Sequence, residues 1–120
     1  HANICSDGSS SGGHPRGFGA FTRVLGHYAR EEKTLTFQEA IHKMTALSAT
    51  HTGIEGRGLV KTGYYADLVL FNPENVKDLA TVKEPHKISN GIEKVWVNGI
   101  LVFNDKKTTG LFPGKVIRRK

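Results

Sequence analysis

Apolar residues fall at Phe21, Val24, Leu25, Tyr28 and Ala29. That three-and-four spacing lays one stripe along a helix from Phe21 to about Glu32. Gly26 lies inside it and costs the helix about 1 kcal/mol relative to alanine; close packing against a neighbour is one reason to keep it. A second helix opens at Thr36. Its hydroxyl caps the first turn, and Glu39 reaches back three residues to complete a capping box, with Leu35 and Ala40 at the staple positions. Phe37, Ala40, Ile41, Met44 and Leu47 form the apolar face. Thr50-His51-Thr52 is the exit before Gly53. Only a few residues separate the two helices, so they form a hairpin or a bent pair.

After Gly53 the period changes. Ala66 to Phe71 is a short apolar run closed by Asn72-Pro73, which predicts a buried strand. Ile92, Val95 and Val97 alternate loosely with polar residues. Asn98-Gly99 then supplies a type I′ hairpin turn, and Ile100 to Phe103 returns as the partner strand. Thr81 to Pro85 reads as a loop or edge strand, and Lys106-Lys107 as a turn. Val116 and Ile117 suggest a last strand, and Ala2, Ile4 and Cys5 the end of a first one. Residues 8–19 are a loop by composition, with His14, Pro15 and Arg16 set among Gly and Ser. Ser9-Ser10-Ser11-Gly12-Gly13 would serve as a flexible linker, whereas Phe18 and Phe21 seek burial. Helices first and a small antiparallel unit second make an α+β pattern, with no internal repeat.

Composition narrows this further. The 120 residues allow one ordinary domain, or a small domain plus a piece of another. With 38% hydrophobic residues and 14 glycines, any core is small. The chain opens at His1 rather than Met, which suggests a piece of a larger protein. No apolar run nears the length that spans a bilayer, and no secretory pattern opens the chain. A single cysteine, Cys5, cannot pair internally; that fits a reducing compartment, so a cytoplasmic location is expected. The net charge of +6 would suit an anionic partner. However, Arg118, Arg119 and Lys120 sit in a tail, and Arg30-Glu31-Glu32-Lys33 is mixed in sign. No basic residues alternate with aromatics as a single-strand surface needs. Neither a nucleic acid nor a membrane partner is expected.

The candidate chemistry sits near the start. Asp7 follows a short apolar stretch, and a His-Pro-Arg loop comes close behind it. On its own, Asp7 is either a turn residue or a proton-transfer group. Arg16 is either an exposed loop arginine or a planar, bidentate partner for a carboxylate. His14, His27, His42 and His51 form no His-x-x-x-His pair. His27 and His42 therefore read as surface or packing residues. Cys5 reads as buried filler, and Trp96 as a packing residue. Gly17-Phe18-Gly19 lacks the Lys-Thr/Ser continuation of a phosphate loop.

Six segments then come in a recognisable order. They are Ser6-Asp7-Gly8, His14-Pro15-Arg16-Gly17-Phe18-Gly19 and Phe21-Thr22-Arg23-Val24-Leu25-Gly26-His27-Tyr28. Next come Ile41-His42-Lys43-Met44-Thr45, Gly63-Tyr64-Tyr65-Ala66-Asp67-Leu68-Val69-Leu70-Phe71 and Val95-Trp96-Val97-Asn98-Gly99. Together they resemble the C-terminal end of N-acyl-D-amino-acid deacylases, or D-aminoacylases, of the metal-dependent amidohydrolase superfamily. The resemblance covers nearly the whole chain.

The resemblance implies a (β/α)₈ barrel carrying the metal site and a small β-sandwich built from both chain ends. Residues 1–53 would be the C-terminal end of the barrel, with its last strand at 1–6, the active-site loop and the final helices. Residues 54–120 would be the C-terminal part of the sandwich. The resemblance further implies that Asp7 takes a proton from a metal-bound water and passes it to the leaving amine, and makes Asp7 a candidate metal ligand. Arg16 would hold the α-carboxylate of the substrate, and His14 would line the pocket. The implied metal is zinc. Its remaining ligands, an early His-x-His pair, a bridging Cys or carboxylate and two later histidines, are absent from these residues. The implied substrate is a small N-acyl amino acid, cleaved at its amide bond to a carboxylic acid and a free D-amino acid, and this stretch alone would be inactive. The rival reading is a non-catalytic β-rich structural or interaction module derived from such an enzyme. The sequence carries no signal for an oligomeric state.

Overall fold

The computed structural model describes residues 2–9 and 11–118. Helix α1 spans Arg16–Arg23 and runs on, without a break, into a π-helical stretch at Val24–Glu31. In that stretch the amide of Glu32 still donates to the His27 carbonyl, at 2.9 Å, five residues back. The helix starts five residues before Phe21, inside the expected loop. Pro15 stands at its N-cap with φ −60°, already suited to helical geometry. The wider π turn also rotates the expected stripe. Leu25 and Ala29 are buried, but Phe21 and Tyr28 stay 44% and 39% exposed. Gly26 has its reason here. A Cβ on it would lie 2.4 Å from the Val76 carbonyl oxygen, so only glycine lets the 72–77 segment cross this helix. Arg30 fixes the crossing by donating to the carbonyls of Val76 at 2.7 Å and Pro73 at 3.2 Å.

Helix α2, Phe37–Met44, opens on the expected capping box. The Glu39 amide donates to Thr36 Oγ1 at 3.1 Å, and the Thr36 amide donates to Glu39 Oε2 at 2.7 Å. The single long helix does not form. The chain breaks at Thr45 and resumes as α3, Ala46–Thr52. The cause is competition for the Lys43 carbonyl, which accepts from the Ile4 amide at 3.1 Å and the Ser48 hydroxyl at 2.8 Å. The Thr45 hydroxyl donates back to Ile41 O, a bond that bends helices. Gly53, at φ 71°, ends α3 as expected. Ile41 lies exposed, off the buried face.

The capping box gives a first prediction. Thr36→Ala is expected to cost about 1 kcal/mol, read from the urea midpoint by circular dichroism. The Thr36 amide, and then its hydroxyl, hold the Glu39 carboxyl below its ordinary range. A lowered folded pKa stabilises the fold above the unfolded value and loses that contribution as pH falls through the folded one. The urea midpoint should therefore drop as pH falls below about 4.3, the usual glutamate value. Glu39→Gln should flatten that part of the profile.

Four strands follow: β1 Leu68–Phe71, β2 Ile92–Val97, β3 Ile100–Asn104 and β4 Lys107–Thr108. They pair antiparallel in chain order. Asn98 and Gly99 carry φ 50° and 78°, the positive pair a type I′ turn demands. Asp105 and Lys106 make a second such turn, which leaves Lys107 in β4. Strand β1 is an edge strand with Val69 and Leu70 exposed, rather than a buried one. Among the described residues, 2–9 join no ladder; the Ile4 amide goes to Lys43 instead, and Cys5 is exposed rather than buried. Val116 and Ile117 likewise join no strand.

Two sequence signatures turn out to be one network. Arg57 pairs with Asp67, donates to Asn98 Oδ1 at 2.7 Å and lies 4.2 Å over the Tyr65 ring. Asp67 accepts the Asn98 amide at 2.9 Å. The approach to β1 is thereby tied to the β2–β3 turn. The core sits at the seam between the helices and β1–β2. Leu25, Ala29, Ala40 and Val76 are buried there, and Phe37 stacks on Phe71 with centroids 6.3 Å apart. The result is a mixed fold of helices and a small antiparallel sheet.

Candidate functional site

Asp7 holds a left-handed backbone, φ 47°, which aspartate tolerates better than most residues. Beside it the Gly8 amide donates to Ser6 Oγ at 3.2 Å. Two glycines then let this turn lie on the first turn of α1. A Cβ on Gly8 would sit 2.7 Å from Gly17 Cα, and one on Gly17 would sit 2.5 Å from the Ser9 carbonyl oxygen. That contact carries the carboxylate to the start of the helix, where Asp7 Oδ2 lies 3.2 Å from Arg16 Nη2. The two side chains are 83% and 48% exposed. An ion pair this open is worth about 0–1 kcal/mol, so another carboxylate can replace Asp7 at Arg16 at little cost.

His14 completes the junction. Its Nδ1 accepts the Arg16 amide at 3.1 Å. In the neutral ring Nδ1 is then the acceptor and Nε2 carries the proton. The His14 carbonyl accepts the Gly17 amide at 3.2 Å. Asp7, His14 and Arg16, all singled out in sequence, thus meet at one loop–helix junction. Asp7 is a turn residue by its backbone and the ion-pair partner of Arg16 by its side chain.

Residues far along the chain hold this junction, and no local spacing marks them. His86 donates from Nε2 to the Gly12 carbonyl at 3.0 Å, and its ring lies 5.3 Å from that of Phe18. Ser89 donates to the Phe18 carbonyl at 3.1 Å and shares a buried 2.6 Å bond with Thr22 Oγ1. Asp78 lies 3.3 Å from Arg23 and raises the pKa of its guanidinium. His27, His42 and His51 stay at the surface. His27 lies 3.3 Å from Glu31 and 3.0 Å from Glu32, and with Arg30 it holds the Glu31 carboxyl below its ordinary range. His51 contacts Asn3 at 3.2 Å, and His42 is exposed.

A bound metal needs convergent donors. Among the described residues, no three His, Cys, Asp or Glu side chains are placed to hold one. Asp7 brings a single carboxylate, so these residues do not themselves fit a metal ion.

Comparison with known proteins adds to this geometry. Residues 4–103 match the profile of the amidohydrolase family. The chain is 49% identical over 104 residues to an N-acyl-D-aspartate deacylase of Alcaligenes xylosoxydans xylosoxydans, covering 87% of this chain and 21% of that protein. It is 45% identical over 106 residues to a D-aminoacylase of the same organism, covering 88% of this chain and 22% of that protein. A solved D-aminoacylase mutant in complex with copper chloride superposes with a TM-score of 0.86 at 46% identity, over 88% of this chain and 22% of that one. An N-acyl-D-glutamate deacylase from Bordetella bronchiseptica was solved with zinc and a phosphonate mimic of the tetrahedral intermediate. It superposes at 0.74 with 49% identity, over 75% of this chain and 19% of that one. The chain spans about a fifth of the length of the relatives it matches.

Proposed function

The chain belongs to the amidohydrolase family, and from that premise we propose that it forms one corner of a metal-dependent hydrolase of N-acyl-D-amino acids. In this reading the helices are the last elements of a (β/α)₈ barrel, residues 54–120 are part of a β-sandwich, and the enzyme is cytoplasmic. Its substrate is a small N-acyl amino acid rather than a nucleic acid or a membrane. The observation that carries the proposal is the loop–helix junction. One exposed carboxylate and one exposed guanidinium face each other at 3.2 Å on an interlocked glycine turn.

Each group has a task the geometry suits. The Arg16 guanidinium offers a planar donor pair to the α-carboxylate of the substrate. As that carboxylate docks, it takes the place of Asp7. The freed Asp7 carboxylate can then accept a proton from the water that attacks the acyl carbonyl and pass it to the amine nitrogen as the C–N bond breaks. His14 fixes where Arg16 begins, through the Arg16 amide. Zinc in the whole enzyme would polarise the acyl carbonyl; its other ligands would come from outside these residues, and Asp7 would add one carboxylate.

A chimera tests the proposal. This chain replaces the matched stretch of the D-aminoacylase, and release of free amino acid from an N-acetyl-D-amino acid is followed. Arg16→Ala is expected to raise KM roughly 10- to 100-fold, the loss of a charged hydrogen-bonded pair. The size of kcat should change far less. An unchanged KM would remove Arg16 from the substrate site. A folded chimera with no turnover would favour the non-catalytic module.

A further inference from the structure

His86 lies far from Asp7 and Arg16 in sequence, yet its Nε2 donates to the Gly12 carbonyl at 3.0 Å. Gly12 belongs to the Gly-Ser loop that leads into His14 and Arg16. Such a loop has much backbone freedom to lose, and little else steadies it. The Gly12 amide donates to the Ser9 carbonyl at 3.2 Å and the Ser11 amide to Ser9 Oγ at 3.3 Å, both within the loop itself. Beyond its chain neighbours, a Cβ on Gly13 would meet no atom within 4 Å, and one on Gly12 would meet only Ser9. Among the described residues, the bond from His86 is the one hydrogen bond that reaches residues 11–13 from a distant part of the chain.

His86 itself is well anchored. Just before it, the Thr81 amide donates to the Glu84 carbonyl at 3.1 Å and the Glu84 amide to Thr81 Oγ1 at 3.0 Å, closing a turn. Three residues after it, Ser89 is buried and bonded to Thr22 and to the Phe18 carbonyl. The 81–89 segment is thus fastened to α1 and reaches past the start of that helix to the loop. We infer that His86 is a positioning residue for Arg16. It holds Gly12, and through Gly12 it holds His14, whose Nδ1 accepts the Arg16 amide at 3.1 Å. Asp7 does not depend on this latch, because the Gly8–Gly17 contact fixes that carboxylate at the other end of the loop. Loss of the latch therefore loosens the guanidinium that receives the substrate carboxylate and leaves proton transfer in place. This rests on the assignment of Arg16 proposed above.

Two substitutions separate the bond from the ring. His86→Phe keeps a ring beside Phe18 and removes the N–H donor, whereas His86→Gln keeps an N–H donor and removes the ring. In the chimera, His86→Phe is expected to raise KM about 3- to 10-fold, the factor that one net hydrogen bond is worth. Its kcat should stay within about twofold, as for a loss of ground-state binding, and His86→Gln should restore KM. In the isotope-labelled 120-residue chain, NMR order parameters at Gly12 and Gly13 should fall below about 0.6 in His86→Phe and recover in His86→Gln. His86 is exposed, so both variants are expected to fold. Order at Gly12 and Gly13 that survives His86→Phe overturns the latch, whatever KM does. Lost order with an unchanged KM, while Arg16→Ala raises it, overturns the positioning role and leaves the functional reading standing. An unchanged KM in both His86→Phe and Arg16→Ala overturns the two together. A fall in kcat at level KM that His86→Gln does not rescue makes His86 a structural residue and also overturns the inference.

Discussion

Asp7→Asn in the chimera is expected to lower kcat by roughly 10²- to 10⁴-fold, the range lost with a positioned proton-transfer group. The substitution is chosen for its backbone. Asp7 sits at φ 47°, and asparagine, like aspartate, tolerates that left-handed geometry. The turn over Gly8 and Gly17 therefore survives, and only the ionisable carboxylate is removed. KM should stay level or fall, because Asp7 occupies Arg16 until substrate arrives and its loss leaves the guanidinium free. Three outcomes are distinct. A fall in kcat at constant KM assigns Asp7 to proton transfer. A loss of both folding and activity in Asp7→Ala, with Asp7→Asn fully active, assigns it to the turn alone. A rise in KM without a fall in kcat makes Asp7 a substrate-binding group, contrary to the role proposed here.

Local chemistry was legible in the sequence, and distant partners were not. The capping box at Thr36 and Glu39, the Asn98-Gly99 turn and the αL stop at Gly53 all depend on residues a few positions apart. Each is formed as the spacing predicts. Asp7, His14 and Arg16 stood out in the sequence one by one, and the structure adds that they touch one junction; their chemistry belongs to the proposal. The break at Thr45 was hidden because the groups that take the Lys43 carbonyl include Ile4, far back in the chain. The start of α1 was hidden by glycines that mark loops by composition but here allow a close approach to Ser9. His86 and Ser89, which bond to Gly12 and Phe18 beside the junction, and Asp78, which pairs with Arg23 further along the helix, come from a stretch without periodicity. Burial was misjudged at Phe21, Tyr28, Ile41 and β1, where apolar character alone does not say whether a layer exists to cover it.

Gly91→Ala is expected to destabilise the chain by about 3 kcal/mol or more, from two costs acting together. Gly91 has φ 79°, where a Cβ costs about 1–2 kcal/mol. That Cβ would also lie 2.5 Å from Val76 Cα and 2.6 Å from its nitrogen, and overpacking of this kind costs about 1–3 kcal/mol. Backbone atoms cannot swing aside as a flexible side chain can. The Gly91 carbonyl accepts the Asn72 amide at 2.8 Å, and Lys77 and Asn90 exchange backbone bonds at 2.9 and 3.2 Å, so the two segments are locked. Gly26→Ala presses the same residue from the helical side. Alanine returns about 1 kcal/mol of helix propensity but meets the Val76 carbonyl at 2.4 Å, so a smaller net loss of about 1–2 kcal/mol is expected. Gly13, with no atom within 4 Å of its Cβ position and no positive φ, is the control; Gly13→Ala should be neutral or stabilising by less than about 1 kcal/mol. Urea midpoints followed by circular dichroism rank the three. If Gly91→Ala unfolds no earlier than Gly13→Ala, Val76 is not clamped between the helix and the approach to β2, and the seam described here is wrong.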